Sequence, residues 1–221
     1  MKFSWLAILI LILATIGHAQ NPSQLEPVEE REQAVQNEDG GRAWLVLPAR
    51  AAAPASIKAR AMGISEVQQN SIFLGNGWAD QSLRQHEQTL SHLLLNLPAH
   101  PELQDLLDSG INVYAPAFSL EKPDVAGNRA LSDLEIQSIL RDSLKQGLSV
   151  NRTSLFVVFL DAGLRSTLGP LTAEKHYLAY HGYFNNAGTR VHYVVVPFEA
   201  EPKAAYRNAL RAFIVAALHT D

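Results

Sequence analysis

The chain has 221 residues, 47% of them hydrophobic, no cysteine and a formal net charge of −4. That is enough apolar material for one ordinary domain to bury its own core. The missing cysteines exclude a lipid-anchored N-terminal cysteine, a thiol nucleophile and a thiolate metal site, so any metal chemistry must use His, Asp or Glu.

At the N-terminus Lys2 precedes an apolar run from Trp5 to Ile16, and Gly17-His18-Ala19 places small residues where a signal peptidase reads them. The pattern predicts a signal peptide over residues 1–19 and a secreted or periplasmic protein. The run is shorter than the ~20 residues of a membrane span, and no later stretch is long enough, so no span is expected after cleavage. Residues 20–41 carry Glu26, Glu29, Glu30, Glu32, Glu38 and Asp39 against Arg31, six minus one, a local balance of −5. Loss of Lys2 also puts the mature chain at −5, so everything from Arg42 onward is formally neutral. A domain without a basic excess lacks the footprint of a nucleic-acid binder, and the small group Arg50, Lys58 and Arg60 does not supply one. Polar, free of aromatics and ending in Asp39-Gly40-Gly41, residues 20–41 read as a disordered acidic leader to a single domain over 42–221.

Ala43 to Leu47 is a short apolar strand stopped by Pro48, and the alanine-rich stretch Ala51 to Ala61, broken by Pro54, reads as a loop entering a helical turn. Ser71-Ile72-Phe73-Leu74 is the next strand, followed by a glycine turn at Gly75-Asn76-Gly77 and then Trp78. From Asp80 to Leu97, Leu83, Leu90, Leu93 and Leu94 recur near helical spacing before Pro98. A short helix over Pro101 to Leu107 and an alternating strand over Ile111 to Phe118 come next. Ser132-Asp133-Leu134-Glu135 is a capping box, and Leu134, Ile136, Ile139, Leu140 and Leu144 supply the stripe of the helix it opens, which Gly147 ends. Ser154 to Asp161 is a strand buried on both faces, a hairpin runs around Tyr183 to Tyr193, and a last helix starts near Lys203 with Pro202 in its first turn. These elements predict an α/β fold: one mixed β-sheet flanked by helices, with a C-terminal β-hairpin and a terminal apolar helix.

The histidines of the hairpin are the strongest candidates for chemistry. A two- or four-residue turn at Asn185-Asn186-Ala187-Gly188 gives cross-strand partners whose numbers sum to 373, which sets His181 opposite His192 with Cβ atoms ~5 Å apart. Two facing imidazoles can bind a metal through neutral nitrogens, zinc or a similar ion, or titrate as a pair near neutral pH. His176 or Asp161 would be the third ligand if the intervening loop folds back. Against this, the rings can hydrogen-bond within a polar strip beside Tyr180 and Tyr183, a three- or five-residue loop would offset the pair, and the spacing matches no specific metal motif. Asp161, at the carboxyl end of a buried strand, stands either where α/β folds place ligands or as a turn residue. His86-Glu87 opens like a zinc-protease helix, but Leu90 stands where the second histidine belongs, so an exposed helical pair is expected. No Gly-x-Ser-x-Gly elbow or phosphate loop occurs. Asn151-Arg152-Thr153 is a formal glycosylation acceptor on a loop. Ala212 to Leu218 is apolar on every side, which requires insertion under the sheet, a missing continuation that once covered it, or a protein partner docked on the helix.

Ser71-Ile72-Phe73-Leu74-Gly75 with Trp78, the helix with Leu134-Glu135-Ile136-Gln137, the run Leu155 to Leu160, and Tyr180-His181-Gly182 before Tyr193-Val194-Val195-Val196-Pro197 resemble, in order and pattern, bacterial members of the Exordium or phosphate-induced protein family. The resemblance covers roughly Ser71 to Pro197. It implies secretion, and in bacterial members a later helix with a Ser-His-Glu stretch and a further Glu, like a degenerate zinc-protease helix. Here that helix reads Ala212-Phe213-Ile214-Val215-Ala216-Ala217-Leu218, with His219 and Asp221 the nearest candidate ligands. The expected function is therefore a non-catalytic exported Exordium-like protein that binds an envelope or extracellular component and needs no cofactor. The alternative is a metal-dependent hydrolase built on His181 and His192.

Overall fold

The computed structural model of the chain describes residues 32–36, 42–47 and 66–218, apart from 109, 149 and 152. The expected signal peptide, the Ala51 to Ala61 stretch, the basic group Arg50, Lys58 and Arg60, and the terminal His219 and Asp221 lie outside these residues.

The fold is a mixed α/β domain of three layers. Its centre is a parallel block made from the runs with the most β-branched and aromatic residues: β3 (Glu66–Leu74), β7 (Ser154–Leu160) and β11 (Thr189–Val196). All seven residues of β7 are buried, as a strand covered on both faces must be. Two short strands, β4 (Asn112–Tyr114) and β5 (Ser119–Lys122), each pair in parallel with one half of β3. On the other side β10 (Ala179–Asn186) pairs antiparallel with β11, then β2 (Arg42–Val46) with β10, and β1 (Glu32–Gln36) with β2. The order is β1-β2-β10-β11-β7-β3-β4, with β5 beside β3.

Strand β1 corrects the expectation of a leader disordered through Gly41. Its five residues pair along the whole of β2, and Val35 packs against the core. Composition marked the segment as too polar to fold alone. The exposed backbone of β2 supplies what composition cannot, a row of unpaired hydrogen-bonding groups.

On one face lie α1 (Gln81–Leu95), α2 (Gln104–Asp108) and α4 (Pro202–Leu218), joined in one core with Phe73, Val157, Phe159, Val194 and Val196. Ala212 to Ala217 of α4 are buried, so the all-round apolar stretch belongs to the chain's own core and is not a face held out to a partner. On the other face, Ile72, Phe156, Val158 and Tyr193 pack on α3 (Asp133–Lys145) and on a small sheet of β6 (Arg129–Ser132), β8 (Leu164–Leu168) and β9 (Leu171–Thr172). The capping box of α3 is formed: the Glu135 N–H donates to Ser132 Oγ, and Glu135 Oε2 accepts from the Ser132 N–H. The helix closes with Leu148 N–H on Ser143 O and Gly147 N–H on Leu144 O, a Schellman pair. Leu134, expected in the buried stripe, is 41% exposed, and Asp133 and Gln137 take the inward positions instead. No described helix is long and apolar enough to cross a membrane.

Candidate functional site

The hairpin turn is two residues, Ala187-Gly188, both at positive φ (48° and 83°), the backbone of a type I′ turn. Cross-strand numbers therefore sum to 375: His181 faces Val194, and His192 faces Tyr183. The register differs from the expected sum of 373 by two. A shift of two keeps every side chain on its face, where a shift of one would have reversed them. His181 and His192 thus remain diagonal neighbours, with Nε2 and Nδ1 3.1 Å apart in a hydrogen bond and the rings stacked at 5.3 Å. Trp44 stacks on His181 at 5.2 Å, Tyr183 tilts against His192 at 5.9 Å, and the Arg190 guanidinium lies 4.6 Å over the Tyr183 ring. Both histidines are buried, and burial, assisted by the Arg190 charge, lowers the His192 pKa to about 4. His192 is therefore neutral at pH 7.

The proposed third ligands do not join them. His176 is half-buried and its Nδ1 accepts from the Thr172 N–H at 3.0 Å. Asp161 sits at the end of β7, where its Oδ2 accepts from Gly77 N–H at 2.6 Å and its Oδ1 from Gly163 N–H at 2.9 Å. Among the described residues no group of three or more His, Cys, Asp or Glu side chains is placed to hold a metal ion.

Asp161 occupies a special place nonetheless. Strands β3 and β7 are adjacent and parallel, and the chain leaves β3 toward α1 on one face but leaves β7 toward β8 on the other. Crevices of this kind are where open α/β sheets place ligands. Here the Asp161 side chain fills the crevice and ties the two departing loops together. Gly75, at φ 120°, shows how closely: a Cβ there would stand 2.3 Å from Asp161 Oδ2.

A second buried polar centre escaped sequence reading. Asp133, fully buried in the first turn of α3, accepts at Oδ1 from the Tyr180 hydroxyl (2.8 Å) and the Tyr193 hydroxyl (2.6 Å), and at Oδ2 from Gln137 Nε2 (2.9 Å). Arg141 donates to Gln137 Oε1 at 3.0 Å. Burial and the Asp133 charge push the Tyr180 hydroxyl well above its ordinary pKa, so it remains a donor. Gly182 makes the arrangement possible, because a Cβ there would meet Tyr193 Oη at 2.7 Å. The available signal was the i, i+4 spacing of Asp133 and Gln137. Tyr180 lies on the opposite face of β10 from His181 and is no part of a strip with it.

His86 also departs from expectation. It is 8% exposed and packs edge-on to Trp78 (5.8 Å) while stacking on Phe198 (5.4 Å); burial lowers its pKa. Its place four residues before Leu90 and eight before Leu94, on the apolar stripe of α1, is the sequence signal for that burial. On the outer face of α1 an open groove is lined by Arg84, Glu87, Gln88, Ser91, His92, Leu95 and Glu121. Burial, then the nearby Glu121 charge, raises the Glu87 pKa there.

No protein-family model matches this chain, and neither a curated protein nor a solved structure does.

Proposed function

We propose that the chain is an exported, Exordium-like protein that binds an envelope or extracellular component without a reaction of its own. The observation that carries this reading is the state of Asp161. At the strand-end crevice where an α/β enzyme would keep a working carboxylate, both oxygens accept backbone N–H groups of the flanking loops. A carboxylate so engaged holds the loops in place, and at 1% exposure it is closed off from a substrate. The Asp133 carboxylate is likewise committed to two tyrosines and a glutamine. Binding needs a preformed surface more than free acids and bases, and a rigid loop junction supports one.

A second reading, the metal-dependent hydrolase, is favoured by one distance. His181 Nε2 and His192 Nδ1 are 3.1 Å apart, close to the roughly 3.3 Å that two nitrogens at zinc–nitrogen bond length span across a tetrahedral angle. Two donors are fewer than the three protein ligands of a catalytic zinc. One preparation separates the readings. The exported protein and its His181→Ala, His192→Ala variant are assayed for metal content and for co-sedimentation with isolated cell envelopes. We expect equal metal in both and retention on the envelopes. About one zinc per chain, lost in the double variant, would replace the binding reading with the hydrolase; protein that stays in the supernatant would also overturn it.

A further inference from the structure

We propose that the ring cluster of Trp78, His86 and Phe198, at the carboxyl ends of the parallel strands, is a binding site for a neutral sugar ring, which enters by displacing Phe198. The inference rests on the reading of the protein as a binder and names the chemistry of what it binds.

Trp78 follows the loop after β3, His86 stands in the second turn of α1, and Phe198 follows β11. The ends of β3, β7 and β11 are level, with Leu74 beside Leu160 and Phe159 beside Val196. The three rings therefore gather at the edge where α/β sheets take ligands, next to the loop that Asp161 holds rigid. Trp78 and His86 are 1% and 8% exposed, yet Trp78 Nε1 and His86 Nε2 have no hydrogen-bond partner among the described residues. A buried polar atom left alone costs free energy, and two of them in one ring cluster require a reason. Packing alone would favour carbon at both positions.

The chemistry of the two atoms selects the ligand. An indole N–H only donates, so it needs an acceptor; the imidazole, kept neutral by burial, donates from one nitrogen and accepts at the other. Hydroxyl groups meet both needs. Phe73, stacked edge-on with Trp78 at 5.1 Å, and Phe198, stacked on His86, complete a wall of rings without formal charge, which suits the C–H faces of a sugar and not a phosphate or carboxylate. Phe198 is half-buried and sits on the irregular Pro197–Ala200 segment between β11 and α4, so it can swing aside without breaking an element. Its stacking position over His86 is the one a sugar ring would take.

The test follows the indole N–H directly. In ¹⁵N-labelled mature protein the indole resonances of Trp44 and Trp78 are assigned with Trp78→Phe, which keeps a ring but removes the donor. Glucose, N-acetylglucosamine and their β-1,4-linked disaccharides are then titrated into the tens of millimolar. The expected result is a saturable shift of the Trp78 resonance with at least one sugar while Trp44 stays in place. Phe198→Ala, which removes the ring to be displaced, should bind the same sugar at least threefold more tightly. A Trp78 resonance that moves with none of the sugars, in wild type and in Phe198→Ala alike, overturns the proposal. Envelope retention together with an unmoved Trp78 resonance would leave the binding reading standing and remove this site from it.

Discussion

The histidine pair in the hairpin is the clearest case of a single side chain setting a property of the whole protein. His192 has a folded-state pKa of about 4, below its unfolded value near 6.5. Between those values the unfolded chain binds a proton that the folded chain refuses, so stability rises with pH and falls on acidification. From pH 6.5 to pH 4.5 this group alone should remove about 2 kcal/mol. His86, also lowered by burial, acts in the same direction, whereas the lowered carboxylates Asp80 and Glu135 lose their contribution only at more acid pH. His192→Gln, which cannot titrate, should unfold in urea with a visibly shallower dependence on pH over that interval. Identical slopes for the two proteins would show that His192 is already protonated in the native state. The pairing of the two rings was legible in the sequence because the period of a strand is two, and an error of two in register costs nothing. The register itself was not, since Asn185 to Gly188 accommodates several turn lengths and only the paired positive φ of Ala187 and Gly188 selects the shortest.

Among the elements, those announced by their own residues were readable. The capping box opens α3 one residue after Ser132, and the apolar runs became β7 and β11. Strand β3 was only half visible. Its first half, Glu66-Val67-Gln68-Gln69-Asn70, is polar, and Gln69 is nonetheless fully buried because its Nε2 donates to Leu94 O at the end of α1. Such a bond comes from tertiary structure and leaves no periodicity. Strands β5, β6 and β8, of four or five residues each, are likewise too short and polar to signal themselves. The loop junction after β3 and β7 depends on Asp161 in the same tertiary sense. Asp161→Ala would leave the Gly77 and Gly163 N–H groups unsatisfied and should cost about 2–3 kcal/mol, a fall in Tm of roughly 4–10 °C. Asp161→Asn, which keeps one acceptor, should fall between. An alanine variant that melts with the wild type would mean that water replaces the carboxylate without loss, and the junction would not be rigid in the way the binding reading requires.

At the scale of the molecule, the domain boundary is where composition misled most. An acidic, aromatic-free segment is a fair description of residues 20–41, but five of those residues complete the large sheet as β1. Of its described side chains, Val35 is half-buried against the core and Gln36 is exposed. Its backbone satisfies that of β2, whose side chains Ala43, Trp44, Leu45 and Val46 are all buried. Without β1 the sheet would end in an apolar strand with unpaired hydrogen-bonding groups, the arrangement that invites pairing with a second chain. Two truncations separate a spacer from a structural strand. A chain beginning at Glu29 keeps β1 and should melt with a chain beginning at Gln20, its mass in solution independent of concentration. A chain beginning at Arg42 should melt several degrees lower and gain mass with concentration as exposed β2 edges meet. Equal melting temperatures, with neither mass depending on concentration, would return the whole leader to the role its composition suggests, and β2 would then be a tolerated edge in its own right.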